Sequence, residues 1–304
     1  MKVLTIVVTY NGQKWIDKCF ESLLKSKVKT DIFVIDNKSS DRTVQLIKES
    51  FPSVSIIESN KNLGFGKANN LGLKKAITED YDYVFLLNQD AWIEENTIIS
   101  LIEIHKRNIE YGILAPLQLN GDNSIVDAMF YEYSVVPCRQ LVTDLLINNK
   151  KSKEIYDTVF LNAACWLLPM KTIKAVGGFD PMFPHYGEDN DYTSRVKLNN
   201  LKIGLCPDIV VSHDREHRKK SINFKKDTNY AYITYLGLLK NHEMPLYGKS
   251  YYLKLLLLNY LNSLFGNNKY HYKVQTKALS ILLKNYNQAI SHREKEKSLI
   301  PMYL

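Results

Sequence analysis

Asn88 and Asp90 follow a short apolar run, Val84-Phe85-Leu86-Leu87, and are separated only by Gln89. On an extended backbone, residues two apart project to the same side, so both side chains present oxygen to one space. Hard oxygen donors suit Mg2+ or Mn2+ and, through the cation, the phosphates of a substrate. A second group lies in Phe183-Pro184-His185-Tyr186-Gly187-Glu188-Asp189-Asn190-Asp191-Tyr192, followed by Arg195. Glu188, Asp189 and Asp191 place three carboxylates in four positions. Their mutual repulsion raises at least one pKa and suits a general base. The same residues also fit an acidic first helical turn facing the helix dipole, with Asp191 and Arg195 at ion-pair spacing.

The elements that must position these groups recur regularly. Val3 to Val8, Ile32 to Ile35, Val54 to Ile57 and Val84 to Leu87 are short continuous apolar runs, the pattern of strands covered on both faces. Between them Ile16, Cys19, Phe20, Leu23 and Leu24 have helical spacing, Ser39-Ser40-Asp41 supplies N-cap chemistry, and Leu71 and Ala76 lie on a third helix. Such alternation predicts right-handed βαβ units and a parallel sheet, with ligands gathered at the carboxyl ends of the strands. Thr9-Tyr10-Asn11, Asp36-Asn37 and Asn88-Gln89-Asp90 then share one edge. Asp36 is placed either to accept hydrogen bonds from a base or ribose or to cap the helix that follows. Neither common phosphate loop is present: there is no G-x-x-x-x-G-K-[ST], and Gly64-Phe65-Gly66-Lys67-Ala68-Asn69 lacks the third glycine of the dinucleotide fingerprint. A diphosphate held through a metal is the remaining reading.

Four segments in order, Val7-Val8-Thr9-Tyr10-Asn11, Val34-Ile35-Asp36-Asn37 with Ser40-Asp41, Asn62-Leu63-Gly64-Phe65-Gly66 with Asn69-Asn70 and Gly72, and Leu87-Asn88-Gln89-Asp90, resemble glycosyltransferase family 2, especially its rhamnosyltransferase-like branch. The resemblance covers roughly residues 3 to 215. It implies an α/β fold of the GT-A type, a central mostly parallel sheet flanked by helices. It also implies inverting transfer from a nucleotide-diphosphate sugar to a saccharide or lipid-linked saccharide, with a divalent metal. On the matching positions it assigns the donor to Thr9, Tyr10, Asn11, Asp36, Asn37, Gly64, Lys67, Asn69, Asn88 and Gln89. Asp90, Asn88 and His213 become the metal ligands, and Asp189 the base, beside Glu188 and Asp191. The family's metal motif is Asp-x-Asp, so Asn88 is a departure that implies weaker metal binding or reliance on Asp90. Trp166 and Arg195 are the candidate acceptor contacts; a lone Trp in an apolar segment is equally a core residue, and His213 after its apolar run is equally a packed one. Gly177-Gly178 reads as a tight turn, and Arg215 to Lys220 as a solvated linker or a lid over the diphosphate.

The 304 residues, 45% of them hydrophobic, suffice for a buried core. The expected division is a catalytic domain over 1–220, with a donor half 1–117 and an acceptor half 118–220, and a helical basic extension over 221–304. From Lys240 onward ten Lys and Arg face three Glu, so that +7 of the formal +8 lies in the tail. A near-neutral body argues against nucleic-acid binding. Helices are expected over Tyr230 to Lys240, Tyr251 to Phe265 and Val274 to Glu296. In the second, Tyr252, Leu255, Leu256, Asn259, Tyr260 and Ser263 trace one face for an anionic membrane surface, the catalytic domain or a second subunit, as in a homodimer. No apolar stretch reaches the length of a membrane span, no signal peptide is read at Met1 to Val8, and Cys19, Cys138, Cys165 and Cys206 form no CxxC pair. A cytoplasmic protein, peripheral at the inner membrane face, is the expectation. Two rivals stand beside the transferase: a sugar-1-phosphate nucleotidyltransferase, whose Gly- and Arg-rich loop is missing after the first strand, and a nucleotide-sugar-binding protein that has lost activity, suggested by Asn88.

Overall fold

The computed structural model describes residues 1–215 and 222–304. The first part runs β1 (Val3–Thr9), α1 (Ile16–Leu24), β2 (Asp31–Asp36), α2 (Thr43–Ser50), β3 (Ser55–Glu58), α3 (Phe65–Thr78) and β4 (Tyr83–Asn88). Then come β5 (Ala91–Ile93), α4 (Thr97–Arg107), β6 (Tyr111–Leu119), the single turn α5 (Ala128–Phe130), a π-helical turn at Tyr131–Val135 and α6 (Arg139–Leu146). The chain continues through β7 (Tyr156–Asp157), β8 (Cys165–Pro169), α7 (Met170–Val176), α8 (Glu188–Leu198) and β9 (Lys202–His213), and closes with α9 (Phe224–Lys240), α10 (Lys249–Phe265) and α11 (Lys269–Lys297).

One sheet of nine strands has the order β3-β2-β1-β4-β8-β6-β9-β5, with β7 on β9. The four strands read from the sequence are mutually parallel. Along β1, Leu4 and Ile6 enter the core on one side while Val3 and Val7 enter the core on the other, which is why the run from Val3 to Val8 is apolar but for Thr5. Between β4 and β6 lies β8, antiparallel to both, so the mostly parallel sheet is mixed at its centre. The run from Ile203 to Cys206 and the one before His213 belong to a single strand, β9, with a register shift opposite Pro116 and Leu117. The stretch 118–158, poor in signals, folds as the short helical turns, α6 and β7.

The last three helices form a third apolar cluster that takes in Met182 and Phe183 from the segment before α8. The chain end returns to the helices that cover the sheet: the Gly178 N–H donates to the Met302 carbonyl at 2.7 Å, and Asn70 Nδ2 to the Tyr303 carbonyl at 3.1 Å. Gly177 (φ 83°) leaves no room for a Cβ against the Met302 backbone, so this glycine serves the docking of the tail as well as a turn. All four cysteines are buried and unpaired. No described helix is long and apolar enough to cross a membrane.

Candidate functional site

The carboxyl ends of β1 and β2 are tied by side chains. Asp36, buried, accepts from the Thr9 hydroxyl at 2.8 Å, from the Ser39 hydroxyl at 2.5 Å and from the Ser39 N–H at 2.8 Å. The start of α2 is served instead by Asp41, which accepts from the Thr43 N–H at 3.0 Å. Asp36 therefore shapes the loop after β2 and keeps carboxylate lone pairs to spare. Asn11 (φ 49°) accepts from the Ser40 N–H at 2.7 Å, and Gln89 clasps Tyr10 through two backbone bonds of 2.9 and 3.1 Å, leaving the Tyr10 ring exposed. Asn37 is buried with its amide spent on Leu63 and Gly64, and Asn69 is buried with its amide on the Phe65 carbonyl. Both hold the 62–69 segment with one amide N–H each. Lys67 is exposed in the first turn of α3. Gly64 has φ 81° and abuts the Pro184 carbonyl, so the segment before the acid motif rests directly on this loop.

Asn88, Asp90 and His213, distant in sequence, converge. β5 begins just after Asp90 and pairs antiparallel with β9, setting Ala91 opposite His213, and the Asp214 N–H donates to the Asp90 carbonyl at 2.8 Å. His213 Nε2 then lies 3.4 Å from Asp90 Oδ1 and 3.5 Å from the Asn88 amide nitrogen. The other ring nitrogen, Nδ1, is 3.3 Å from Gln118 Oε1, and Gln118 in turn donates to Asn162 Oδ1 at 2.6 Å. That relay fixes the proton on Nδ1. Nε2 is then left as a lone pair, free to accept from the Asn88 amide or to face a cation set between it and Asp90. Burial pushes the Asp90 carboxyl up, but the His213 ring and the Arg215 charge outweigh it and hold it below its ordinary value. A carboxylate, an imidazole and an amide around one point fit a small divalent cation.

Glu188 and Asp189 open α8 after Gly187 (φ 82°). Glu188 is buried, its Oε2 has no hydrogen-bond partner among the described residues, and burial followed by the Asp189 charge pushes its carboxyl up to about 8. Burial likewise raises half-buried Asp189, against the Asn190 N–H and the Arg215 charge. The Ala163 N–H also acts to lower Asp189, while the next carbonyl, Ala164, accepts from the Asn88 N–H at 2.8 Å. The 162–164 segment thus links the acid motif to the metal-like triad, and Arg215 acts on both. Residues 216–220 of the expected cationic loop lie outside the described residues.

Three expected site residues sit elsewhere. Asp191 is buried and bonded to Arg195 at 2.8 Å, with Lys240 Nζ at 3.3 Å. Arg195, also buried, donates further to the Val176 and Gly178 carbonyls at 3.0 and 2.8 Å. Trp166 is fully buried, stacked on Phe179 with ring centres 6.2 Å apart. The first two join α8 to the C-terminal helices and the third packs in the core. Asp180, Asp191 and Glu296 form an acidic cluster able in principle to hold a metal. Lys240 Nζ already occupies its centre, 2.5 Å from Asp180 and in contact with Glu296. The ammonium would have to leave before a cation entered.

Sequence reading marked Asn162 only as the start of the family-like segment Asn162-Ala163-Ala164-Cys165-Trp166 and passed over Gln118, Lys240 and Glu296. Gln118 is an ordinary amide near a strand end, and the last two lie in helices with no motif around them. Only pairing across the fold brings each to its partner.

Residues 5–164 match the family model described as Glycosyl transferase family 2. Among curated relatives, the poly(ribitol-phosphate) beta-N-acetylglucosaminyltransferase TarS of Staphylococcus aureus is 26% identical over 218 residues, covering 68% of this chain and 34% of that protein. The rhamnosyltransferase WbbL of Escherichia coli is 24% identical over 256 residues, 79% of this chain and 95% of that one. The chain therefore spans about a third of TarS and nearly all of WbbL. Among solved structures, the mannosyltransferase PcManGT of Pyrobaculum calidifontis, in complex with GDP-Man and Mn2+, superposes with a TM-score of 0.59 at 15% identity, over 98% of this chain and 83% of that one. The likeness establishes the GT-A fold.

Proposed function

The chain belongs to glycosyl transferase family 2, and on that footing we propose that it transfers a sugar from a nucleotide-diphosphate sugar to a saccharide or lipid-linked saccharide hydroxyl, with inversion, in the assembly of a cell-surface glycan. The observation that carries this reading is the joining of Asn88, Asp90 and His213 to Glu188 and Asp189 through residues 162–164. Asp189 takes the proton of the acceptor hydroxyl as that oxygen bonds to the anomeric carbon, while the bond from the same carbon to the diphosphate oxygen breaks on the opposite face. Glu188, neutral at pH 7, spares Asp189 a second adjacent charge. Thr9, Asn11 and Asp36 line the place of the nucleotide. Asp90 and His213, with Asn88, would hold Mg2+ or Mn2+, which supplies positive charge beside the leaving diphosphate.

In this reading residues 1–117 bind the donor, 118–220 the acceptor, and 221–304 form an extension that braces α8. A dTDP- or UDP-sugar, rhamnose among them, is the favoured donor, since WbbL is a rhamnosyltransferase and the matched segments have that look. The test has two arms. Calorimetric titration of UDP, dTDP and GDP, with and without Mn2+, should give metal-dependent binding of one nucleotide that Asp90→Asn weakens. With the corresponding sugar donor, Asp189→Asn should lower turnover roughly 10²- to 10⁴-fold at nearly unchanged donor affinity. Full turnover in Asp189→Asn removes that residue from its role; no nucleotide binding under any condition favours the inactive binding protein.

A further inference from the structure

The sequence suggests a surface-binding face on α10 made of Tyr252, Leu255, Leu256, Asn259, Tyr260 and Ser263. The fold turns most of that face inward. Tyr252 and Ser263 are buried, Leu255, Leu256 and Asn259 half-buried, and Tyr252 packs near Tyr286 of α11 with ring centres 6.0 Å apart. What faces outward is the other side: Leu253, Leu257, Leu258, Leu261 and Leu264, each 44–57% exposed, and Phe265 at 83%. Six large apolar side chains on one face of a 17-residue helix form a contiguous patch of a kind that soluble surfaces rarely leave uncovered.

Charge identifies the cover. α10 contains no Asp or Glu, while Lys249 and Lys254 on it, and Lys269 and Lys273 in the first turns of α11, are exposed and form no ion pair among the described residues. Lys254 lies beside Leu253, Leu257, Leu258 and Leu261 on the outward face. Against a second copy packed along α10, that ammonium would be buried beside its own kind with no acid on the helix to meet it. At a lipid surface the leucines enter the acyl boundary and the lysine stem reaches back to a phosphate headgroup.

The patch also ends where the chemistry is. α9 and α11 run side by side in the same direction, since Phe224 meets Tyr270 at one end and Lys240 meets Glu296 at the other. α10 runs against α11, so Phe265 lies at the end of the helical layer where α9 begins and where Phe224 and Ile222 are also exposed. Tyr230, in the second turn of α9, stacks on Tyr186 at 5.3 Å, and Gly187 abuts Ile233. Glu188 and Asp189 follow immediately.

We infer that the outward face of α10, with Phe265, Phe224 and Ile222 at its tip, docks on an anionic lipid surface and holds the Glu188–Asp189 end of the molecule beside the headgroups. Resting on the function proposed above, this surface would present a lipid-linked saccharide to Asp189.

The purified full chain is mixed with vesicles of phosphatidylcholine alone or with phosphatidylglycerol and assayed by flotation. Wild type should float with the anionic vesicles. Leu257→Glu/Leu261→Glu should lose this by roughly tenfold or more, Lys249→Gln/Lys254→Gln by a few fold, and Ile109→Glu, an exposed apolar site elsewhere, not at all. Both leucines are exposed, so an unchanged thermal melt accompanies the first variant; should it melt early, the lysine variant carries the test. No flotation of wild type, or equal flotation of every variant, overturns the inference. So does a wild-type dimer in sedimentation velocity that the leucine variant abolishes without any vesicle binding, which assigns the face to a second copy. Flotation needs no sugar donor, so it is read independently of whether turnover is found.

Discussion

Replacing Lys240 by Met tests how the C-terminal helices are joined to the acid-motif helix. The ammonium is 3% exposed and touches three carboxylates: Asp180 at 2.5 Å, Asp191 at 3.3 Å, and Glu296. Arg195 answers two of these charges, Asp191 at 2.8 Å and Glu296 at 3.7 Å, while His292 lies 3.1 Å from Asp180 and His242 lies 3.0 Å from Glu296. Methionine fills similar space but leaves buried negative charge without its central partner, a loss of about 3–5 kcal/mol. Set against a total stability of about 5–15 kcal/mol, and at about 2–4 °C per kcal/mol for a domain of this size, the melting temperature at pH 7 should fall by about 10 °C. The pH dependence gives the sign. Burial alone would raise Asp180 and Glu296, but His292 with Lys240, and His242 with Lys240, hold them below their ordinary 3.8 and 4.5. In wild type these groups contribute stability that is complete above that range and is lost as pH falls below it, through their lowered folded values. In Lys240→Met the same carboxylates titrate above it, so acid protonates and relieves them. The gap between the two proteins should be widest near pH 7 and narrow as pH falls toward 4 and below. A gap under about 2 °C at pH 7, or one constant with pH, would refute the assignment of Lys240 as the charge centre of this junction.

Glu188 has the opposite sign. Its carboxyl is raised from 4.5 to about 8, so the neutral group contributes stability below 4.5 that is lost as pH rises through 8. Glu188→Gln should match wild type in melting temperature near pH 4.5 and exceed it increasingly up to about pH 8. At about 1.4 kcal/mol per pH unit, the gain is bounded at about 5 kcal/mol; equal melts at pH 9 would show the carboxyl to be ordinary. Gly64→Ala puts a Cβ at φ 81° and against the Pro184 carbonyl, and should cost about 1–3 kcal/mol in urea unfolding. A neutral result would mean the 62–64 loop moves freely away from the acid motif.

The sequence alone determined what depends on local pattern. Four apolar runs, each ending in polar residues, were enough for the parallel half of the sheet and for the edge carrying Thr9, Asp36 and Asp90, because a strand covered on both faces must be apolar throughout and its end must then meet solvent. The segments at 60–70 and 183–192 were legible too, since glycines with positive φ and crowded carboxylates are costly unless something requires them. His213 was placed by resemblance, and the structure supplies the reason, the pairing of β5 with β9. What the tertiary structure decided is which face each group shows. Asp191 and Glu188 are neighbours on one helix, yet one points to Lys240 and the other toward Gly66. Trp166 became core because β8 enters the middle of the sheet, a strand that no periodicity announced. The outward side of α10 was settled by Tyr286 and its neighbours on α11, 17 to 45 residues downstream. Helical spacing defines the faces of a helix, but only the partner that packs against it determines which face is left for something else to cover.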